Sequence, residues 1–197
     1  MKIISISGLD GSGKSTQTQL LKKYYEENGK TVLYFHAVQF SVAHVLYKRA
    51  QKKHPHKKCV DITSAPWHKI MLRKIALFCD IFRFRYFVYK NKKHYDILLT
   101  DRYFYDMIIN IAYLQHKPYT PFFARWIIPP NHRFFLNVTP AYIMMRDNPP
   151  SQGHDYLVAK NTLFHQYIPQ IFDLTVIDGS KYVTVVHDDI RAHVTHL

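Results

Sequence analysis

A glycine-rich segment near the start of the chain has the residue types and spacing of a phosphate-binding loop. It reads GLDGSGKS over residues 8–15 and fits the pattern G-x-x-x-x-G-K-S/T at every position. Glycines let the backbone bend so that several N–H groups point at phosphate oxygens, at the positive end of the following helix. Lys14 would reach the β- and γ-phosphates of a triphosphate, and the Ser15 hydroxyl would bind Mg²⁺. The residues predicted to hold the triphosphate are Gly8, Leu9, Asp10, Gly11, Ser12, Gly13, Lys14, Ser15 and Thr16.

A second candidate is the pair Asp101-Arg102, which directly follows the apolar run at 97–100. In doubly wound sheets, the carboxyl end of a central strand lies beside the phosphate loop. Asp101 can there hold Mg²⁺ or its water, and Arg102 can clamp a phosphate. Taken alone, the pair would be read as a surface ion pair at a strand end. The phosphate loop favours the functional interpretation.

Strands and helices alternate along the chain. Strands are predicted over 2–7, 31–36, 97–100, 133–138 and 174–177, and helices over 14–28, 40–51, 65–89, 105–114, 140–146, 156–172 and 184–196. This alternation predicts an α/β fold: a doubly wound parallel sheet of five strands, flanked by helices on both faces. No internal repeat or linker divides the chain, so we predict a single domain over 1–197. The segment 147–154, rich in proline and glycine, is the best candidate for a mobile loop.

The composition limits the partners. The chain has 197 residues and a formal net charge of +13, which attracts nucleotides, nucleic acid or anionic membrane surfaces. Because the basic residues are scattered and no nucleic-acid-binding motif is present, the sequence argues against nucleic acid. No apolar run reaches the roughly 20 residues of a membrane span. The two cysteines predict neither a disulfide framework nor a zinc site, and no signal peptide is recognised, so we expect a cytoplasmic location.

These motifs together resemble those of the thymidylate kinase family. The resemblance rests on GLDGSGKST at 8–16, followed by Gln17, and on Asp101-Arg102-Tyr103, which matches the family's Asp-Arg-Tyr/His motif. The segments LNVTP at 136–140 and VIDGS at 176–180 resemble the strand before the family's lid and its last strand. The resemblance implies a kinase of the P-loop NTPase type that transfers the γ-phosphoryl group of ATP, with Mg²⁺, to a nucleoside monophosphate. It implies dTMP as the leading acceptor, a short lid at about 146–156 and a homodimer.

The resemblance also implies roles for individual residues. Lys14, Asp10 and Arg102 would be catalytic, with Arg102 binding the acceptor phosphate or spanning the two nucleotides, and Arg146 would flank the adenine or the lid. Family members usually carry an arginine in the phosphate loop or the lid, but 9–12 has none, and 147–155 has only His154. The run DRYFYD at 101–106 looks more like the divergent thymidylate kinase-like branch.

The acceptor site is less sharply predicted. Phe78 and Phe82 lie at i and i+4 of the long predicted helix, a spacing that suits stacking on a base, but core packing explains them equally well. The family places a Phe and an Arg in this helix, although not at this spacing. Gln39 and Phe40, just after the second strand, could also line the pocket. Asp106 occupies the position where the family often has Ser. The predicted acceptor residues are Gln39, Phe40, Phe78, Phe82, Arg83, Arg102 and Asp106.

Two other functions stay open on the sequence. A kinase of the same fold could act on a nucleoside or another small metabolite. A nucleoside hydroxyl would benefit from a carboxylate base just after the second strand, and residues 35–40 contain none, although Asp10 or Asp106 could serve. The second alternative is a nucleic-acid-binding or ATP-switch protein that keeps the phosphate loop without transferring to a small molecule.

Overall fold

The structure is a computed structural model that describes residues 1–45, 48, 64–168 and 173–194. The strands in these ranges are β1 (Lys2–Gly8), β2 (Val32–His36), β3 (Ile97–Asp101), β4 (His132–Asn137) and β5 (Thr175–Asp178). The helices are α1 (Lys14–Glu27), α2 (Ala37–Phe40), α3 (Trp67–Asn91), α4 (Phe104–Gln115), α5 (Pro140–Met144), α6 (His154–Tyr167) and α7 (Val183–Val194). A 3-10 turn covers Phe122–Trp126.

The strands form one parallel sheet in the order β2-β3-β1-β4-β5. The predicted α/β fold with a five-stranded parallel sheet is therefore confirmed. Strands β1 and β3 lie inside the sheet, and β3 is buried along its whole length. The register pairs Ile6 and His36 with Asp101, so the carboxyl ends of β1, β2 and β3 meet at one edge. The phosphate loop leaves the sheet at this edge.

Helices cover both faces of the sheet because the strand residues alternate in direction. On one face, Ile4 and Ile6 of β1 pack in a core cluster with Leu21 of α1 and Ile190 of α7. The opposite face is covered by α3, α4 and α6, whose core residues include Ile81, Ile108 and Leu157. In the described ranges, no helix is long and apolar enough to cross a membrane.

Most predicted elements agree with the structure to within a few residues, and two differences matter. The predicted helix over 40–51 begins earlier, as α2, and is interrupted at Ser41, whose ψ of 134° is not helical. Residues 42–45 and 48 are helical, and residues 46, 47 and 49–51 of that prediction lie outside the described residues. Helix α6 begins at His154, so the last three residues of the predicted lid segment are helical.

Candidate active site

The phosphate loop joins β1 to α1. Gly11 and Gly13 have φ angles of 80° and 99°, in the left-handed region that residues other than glycine rarely adopt. A Cβ added to Gly11 would lie 2.9 Å from Ile143 Cγ2 and 3.2 Å from Pro150 Cγ. Glycine is therefore required at Gly11 by the backbone angle and by the neighbouring chain.

Lys14 lies inside this loop and is almost completely buried. Its ammonium donates to the Leu9 carbonyl and, at 3.5 Å, to the Ser12 hydroxyl. Burial lowers the pKa of Lys14 to about 7, and the positive charge of Arg102 contributes in the same direction. A phosphate bound in the loop would add negative charge beside this ammonium and favour its charged form.

Ser15 and Asp101 form the part of the site that suits a magnesium ion. The Ser15 hydroxyl donates to Asp101 Oδ2 at 2.5 Å, and the Tyr34 hydroxyl donates to the same oxygen at 3.2 Å. Oδ1 of Asp101 is buried without a hydrogen-bond partner. A hydroxyl beside a carboxylate with a free oxygen is a set of hard oxygen ligands, which Mg²⁺ prefers. The residues present thus fit the ion that the phosphate loop implies.

Arg102 points from the end of β3 into the phosphate loop, where its guanidinium donates to Asp10 Oδ1. Its own backbone has a φ of 66°, in the left-handed region, and its N–H donates to the Ile6 carbonyl. Burial alone would raise the pKa of Asp10, but the positive charges of Lys160, Arg102 and Lys14 hold it well below its usual value. Burial alone would lower the pKa of Arg102, yet Asp10 and Asp106 raise it above its usual value. Both partners are therefore charged.

Two residues of α6 complete this cluster, and the sequence analysis did not identify either. Lys160 is fully buried, with its Nζ 3.8 Å from Asp10 Oδ2. It donates to the Tyr156 hydroxyl at 3.2 Å, which in turn donates to Asp10 Oδ2 at 3.1 Å. The sequence did carry one signal, because Lys160 lies in the buried stripe of α6 between Tyr156 and Phe164. A lysine in such a stripe needs a buried partner.

Arg146 connects the phosphate loop to the loop that follows β5. Its guanidinium donates to the Gly11 carbonyl and, at 3.4 Å, to the Gly179 carbonyl. It also lies 5.5 Å from the centre of the Tyr142 ring. Arg146 thus lies at the junction where the resemblance places the adenine or the lid. Thr16 is exposed at the start of α1.

The predicted acceptor residues fall into separate groups. Phe40 and Arg83 lie together at the end of α2, with the guanidinium 4.4 Å from the ring centre and donating to the Phe40 carbonyl. Arg83 also forms an ion pair with Asp80, whose carboxylate accepts the backbone N–H of Val42. Gln39 is exposed on α2.

Phe78 and Phe82 lie on the other flank of α3. Their rings contact each other and Trp126, and Phe78 also contacts Phe123. They are 37% and 45% exposed, so they belong to a surface cluster of aromatic rings rather than to the core. The structure therefore does not bring these two rings together with Arg83.

Asp106 has a structural role at the start of α4. Its Oδ2 accepts the Tyr103 backbone N–H at 2.9 Å and the Ser7 hydroxyl at 2.7 Å. Such a carboxylate stabilises the N-terminus of a helix. Its Oδ1 is buried without a hydrogen-bond partner, so a role in acceptor binding stays a prediction that depends on that oxygen.

The parallel sheet and the loop between β1 and α1 define an α/β protein of the P-loop NTPase type. Within that class, the sequence model of the thymidylate kinase family matches residues 6–60. A crystal structure of thymidylate kinase from Ehrlichia chaffeensis has a similar fold, with a TM-score of 0.66 at 15% identity over 98% of each chain. No curated protein matches the sequence. The resemblance to the thymidylate kinase family is thus confirmed over residues 6–60, and the fold of a thymidylate kinase is shared over 98% of the chain.

Proposed function

We propose that the protein transfers the γ-phosphoryl group of ATP to dTMP. The observation that carries the proposal is the contact between Arg102 and Asp10, which brings a guanidinium from the end of β3 to the phosphate loop. An arginine there can bind a second anion facing the triphosphate. The match of residues 6–60 to the thymidylate kinase family supports thymidylate as that anion.

Each group in the site has a defined task under this proposal. The phosphate loop and Lys14 bind the triphosphate, and Arg146 binds on the adenine side. Mg²⁺ held by Ser15 and Asp101 would neutralise charge on the phosphates. Arg102 binds and orients the acceptor phosphate, and Asp10 orients Arg102. Because a phosphate acceptor is already anionic, the reaction needs positioning and charge neutralisation rather than a strong base. Residues 35–40 carry no acid, which supports a monophosphate over a nucleoside.

We also propose a homodimer in the cytoplasm, with residues 146–156 as a lid over ATP. The dimer is supported by the long helix α3, which exposes apolar side chains along one side. These residues, the α3 patch, are Trp67, Met71, Leu72, Ile75, Phe78 and Phe82.

The proposed function is tested by coupling ADP release to a spectrophotometric assay with MgATP and each nucleoside monophosphate or nucleoside in turn. We expect dTMP to stimulate turnover, and Lys14→Ala to remove that stimulation. Lys23→Ala is the matched control, because Lys23 is an exposed lysine on the same helix. Absence of stimulation by every monophosphate would reject the proposal, and stimulation by a nucleoside instead would favour a nucleoside kinase.

A further inference from the structure

Lys160 is a completely buried lysine that contacts Asp10 and Tyr156 of the candidate active site. It touches Asp10 of the phosphate loop directly and through the Tyr156 hydroxyl. Enclosing an ammonium in protein is costly, and an apolar side chain in the buried stripe of α6 would be at least as stable. Fold stability alone therefore does not explain a lysine at this position.

The charges around Asp10 indicate what the lysine does. Arg102 binds Oδ1 of this carboxylate, and Lys160 with Tyr156 occupies Oδ2. Arg102 therefore shares the Asp10 carboxylate with Lys160 and the Tyr156 hydroxyl, which bind its other oxygen. Without Lys160, Asp10 would neutralise more of the charge of Arg102, and a second anion would be attracted less strongly.

The position of Lys160 in the chain adds to this argument. Lys160 lies on α6, directly after the segment 146–156, and neither 9–12 nor 147–155 contains a lysine or an arginine. Among the described residues, Lys160 is thus the basic side chain that α6 brings to Asp10.

We propose that Lys160 is a positioning residue, which holds Asp10 and leaves the charge of Arg102 available for the acceptor phosphate. The inference rests on the proposed function, since it assigns Arg102 to the acceptor. It predicts that loss of Lys160 weakens acceptor binding selectively and leaves the binding of ATP unchanged.

The test is calorimetric binding of dTMP, inorganic phosphate and a non-hydrolysable ATP analogue to the full chain. Lys160→Met, which keeps the length of the side chain, is expected to weaken dTMP and phosphate binding about tenfold and the analogue less than about twofold. Tyr156→Phe removes only the bridging hydroxyl and should give a smaller loss for dTMP. Lys23→Met is the control for the substitution at an exposed site on α1.

A thermal unfolding cycle checks the Lys160–Asp10 pair without any ligand. Asp10→Asn leaves the buried ammonium without its carboxylate and should lower Tm by about 10 °C. Adding Lys160→Met to Asp10→Asn removes the uncompensated cation and should raise Tm again. A double variant less stable than Asp10→Asn would show that Lys160 does not act through Asp10.

The binding outcomes separate this inference from the proposed function. Equal losses for dTMP and the ATP analogue, or no loss for dTMP, would overturn the positioning role. If the wild-type chain binds dTMP selectively through Lys160 but transfers no phosphoryl group, the proposed function fails and the positioning role stands. If it binds neither dTMP nor phosphate, no acceptor site exists, and the inference is wrong.

Discussion

Arg102 and Asp10 form an ion pair although 92 positions separate them in the chain. Each is held by its own element: Arg102 by its left-handed backbone and its hydrogen bond to Ile6, and Asp10 by the turn of the phosphate loop. A non-glycine residue in the left-handed region is strained, and such strain is concentrated at functional sites. The pair therefore joins the carboxyl end of β3 to the residues that would bind phosphate.

Replacing Arg102 should affect the acceptor more than ATP. Arg102→Met removes the planar fork of donors, so we expect kcat/KM for the acceptor to fall by about 100-fold or more, while KM for ATP changes little. Arg102→Lys keeps the positive charge but not the planar set of donors, so we expect its kcat/KM for the acceptor to stay close to that of Arg102→Met. Steady-state kinetics with each substrate varied measure both effects. Arg125→Met, at an exposed arginine near Trp126, is the control. An equal rise in KM for ATP and in KM for the acceptor would contradict the assignment of Arg102 to the acceptor.

Alanine substitutions at two glycines distinguish the cost of backbone strain from the cost of steric contact. Gly29→Ala places a side chain at a φ of 72° with no atom within 4 Å, so it should cost only about 1 kcal/mol of unfolding free energy. Gly11→Ala adds contacts with Ile143 and Pro150 at a similar φ of 80°, so it should cost more and weaken ATP binding. Urea unfolding and ATP titration of both variants measure the difference. Equal stability and unchanged ATP affinity would show that the loop has room for a side chain.

ATP binding should be accompanied by uptake of a proton at Lys14. In the free protein, burial lowers the pKa of this lysine to about 7, so at about pH 8 the ammonium is largely deprotonated. Bound phosphates stabilise the charged form and raise that pKa. Affinity for ATP should therefore fall as the pH increases from about 7 to about 9. Calorimetry in two buffers of different ionisation enthalpy measures the uptake, and Lys14→Met should abolish it. An uptake that persists in Lys14→Met would assign the proton to another group.

The α3 patch predicts the effect of a charge on assembly. Ile75 lies in the middle of this patch and is exposed, so Ile75→Asp should convert a dimer into a monomer. Val185→Asp introduces the same charge at an exposed valine of α7 and should leave the dimer intact. Analytical ultracentrifugation of the three proteins gives the answer. A wild-type chain that sediments as a monomer at all concentrations would rule out the proposed dimer.

The sequence by itself determined the fold class, and it predicted the residues at the centre of the candidate site. Alternating strand and helix patterns predicted the parallel sheet, because backbone geometry is encoded in local periodicity. The phosphate loop and Asp101-Arg102 were predicted because their residues are contiguous and follow strands whose carboxyl ends meet at one sheet edge.

Tertiary structure decided which distant side chains reach that centre. Helical spacing put Phe78 and Phe82 on one flank of α3, but only packing against Trp126 showed that this flank is separate from the one at Arg83. Lys160 reaches Asp10 because α6 packs on the same face of the sheet as α4. A buried charge pair depends on which elements lie side by side, and local sequence patterns do not encode that arrangement.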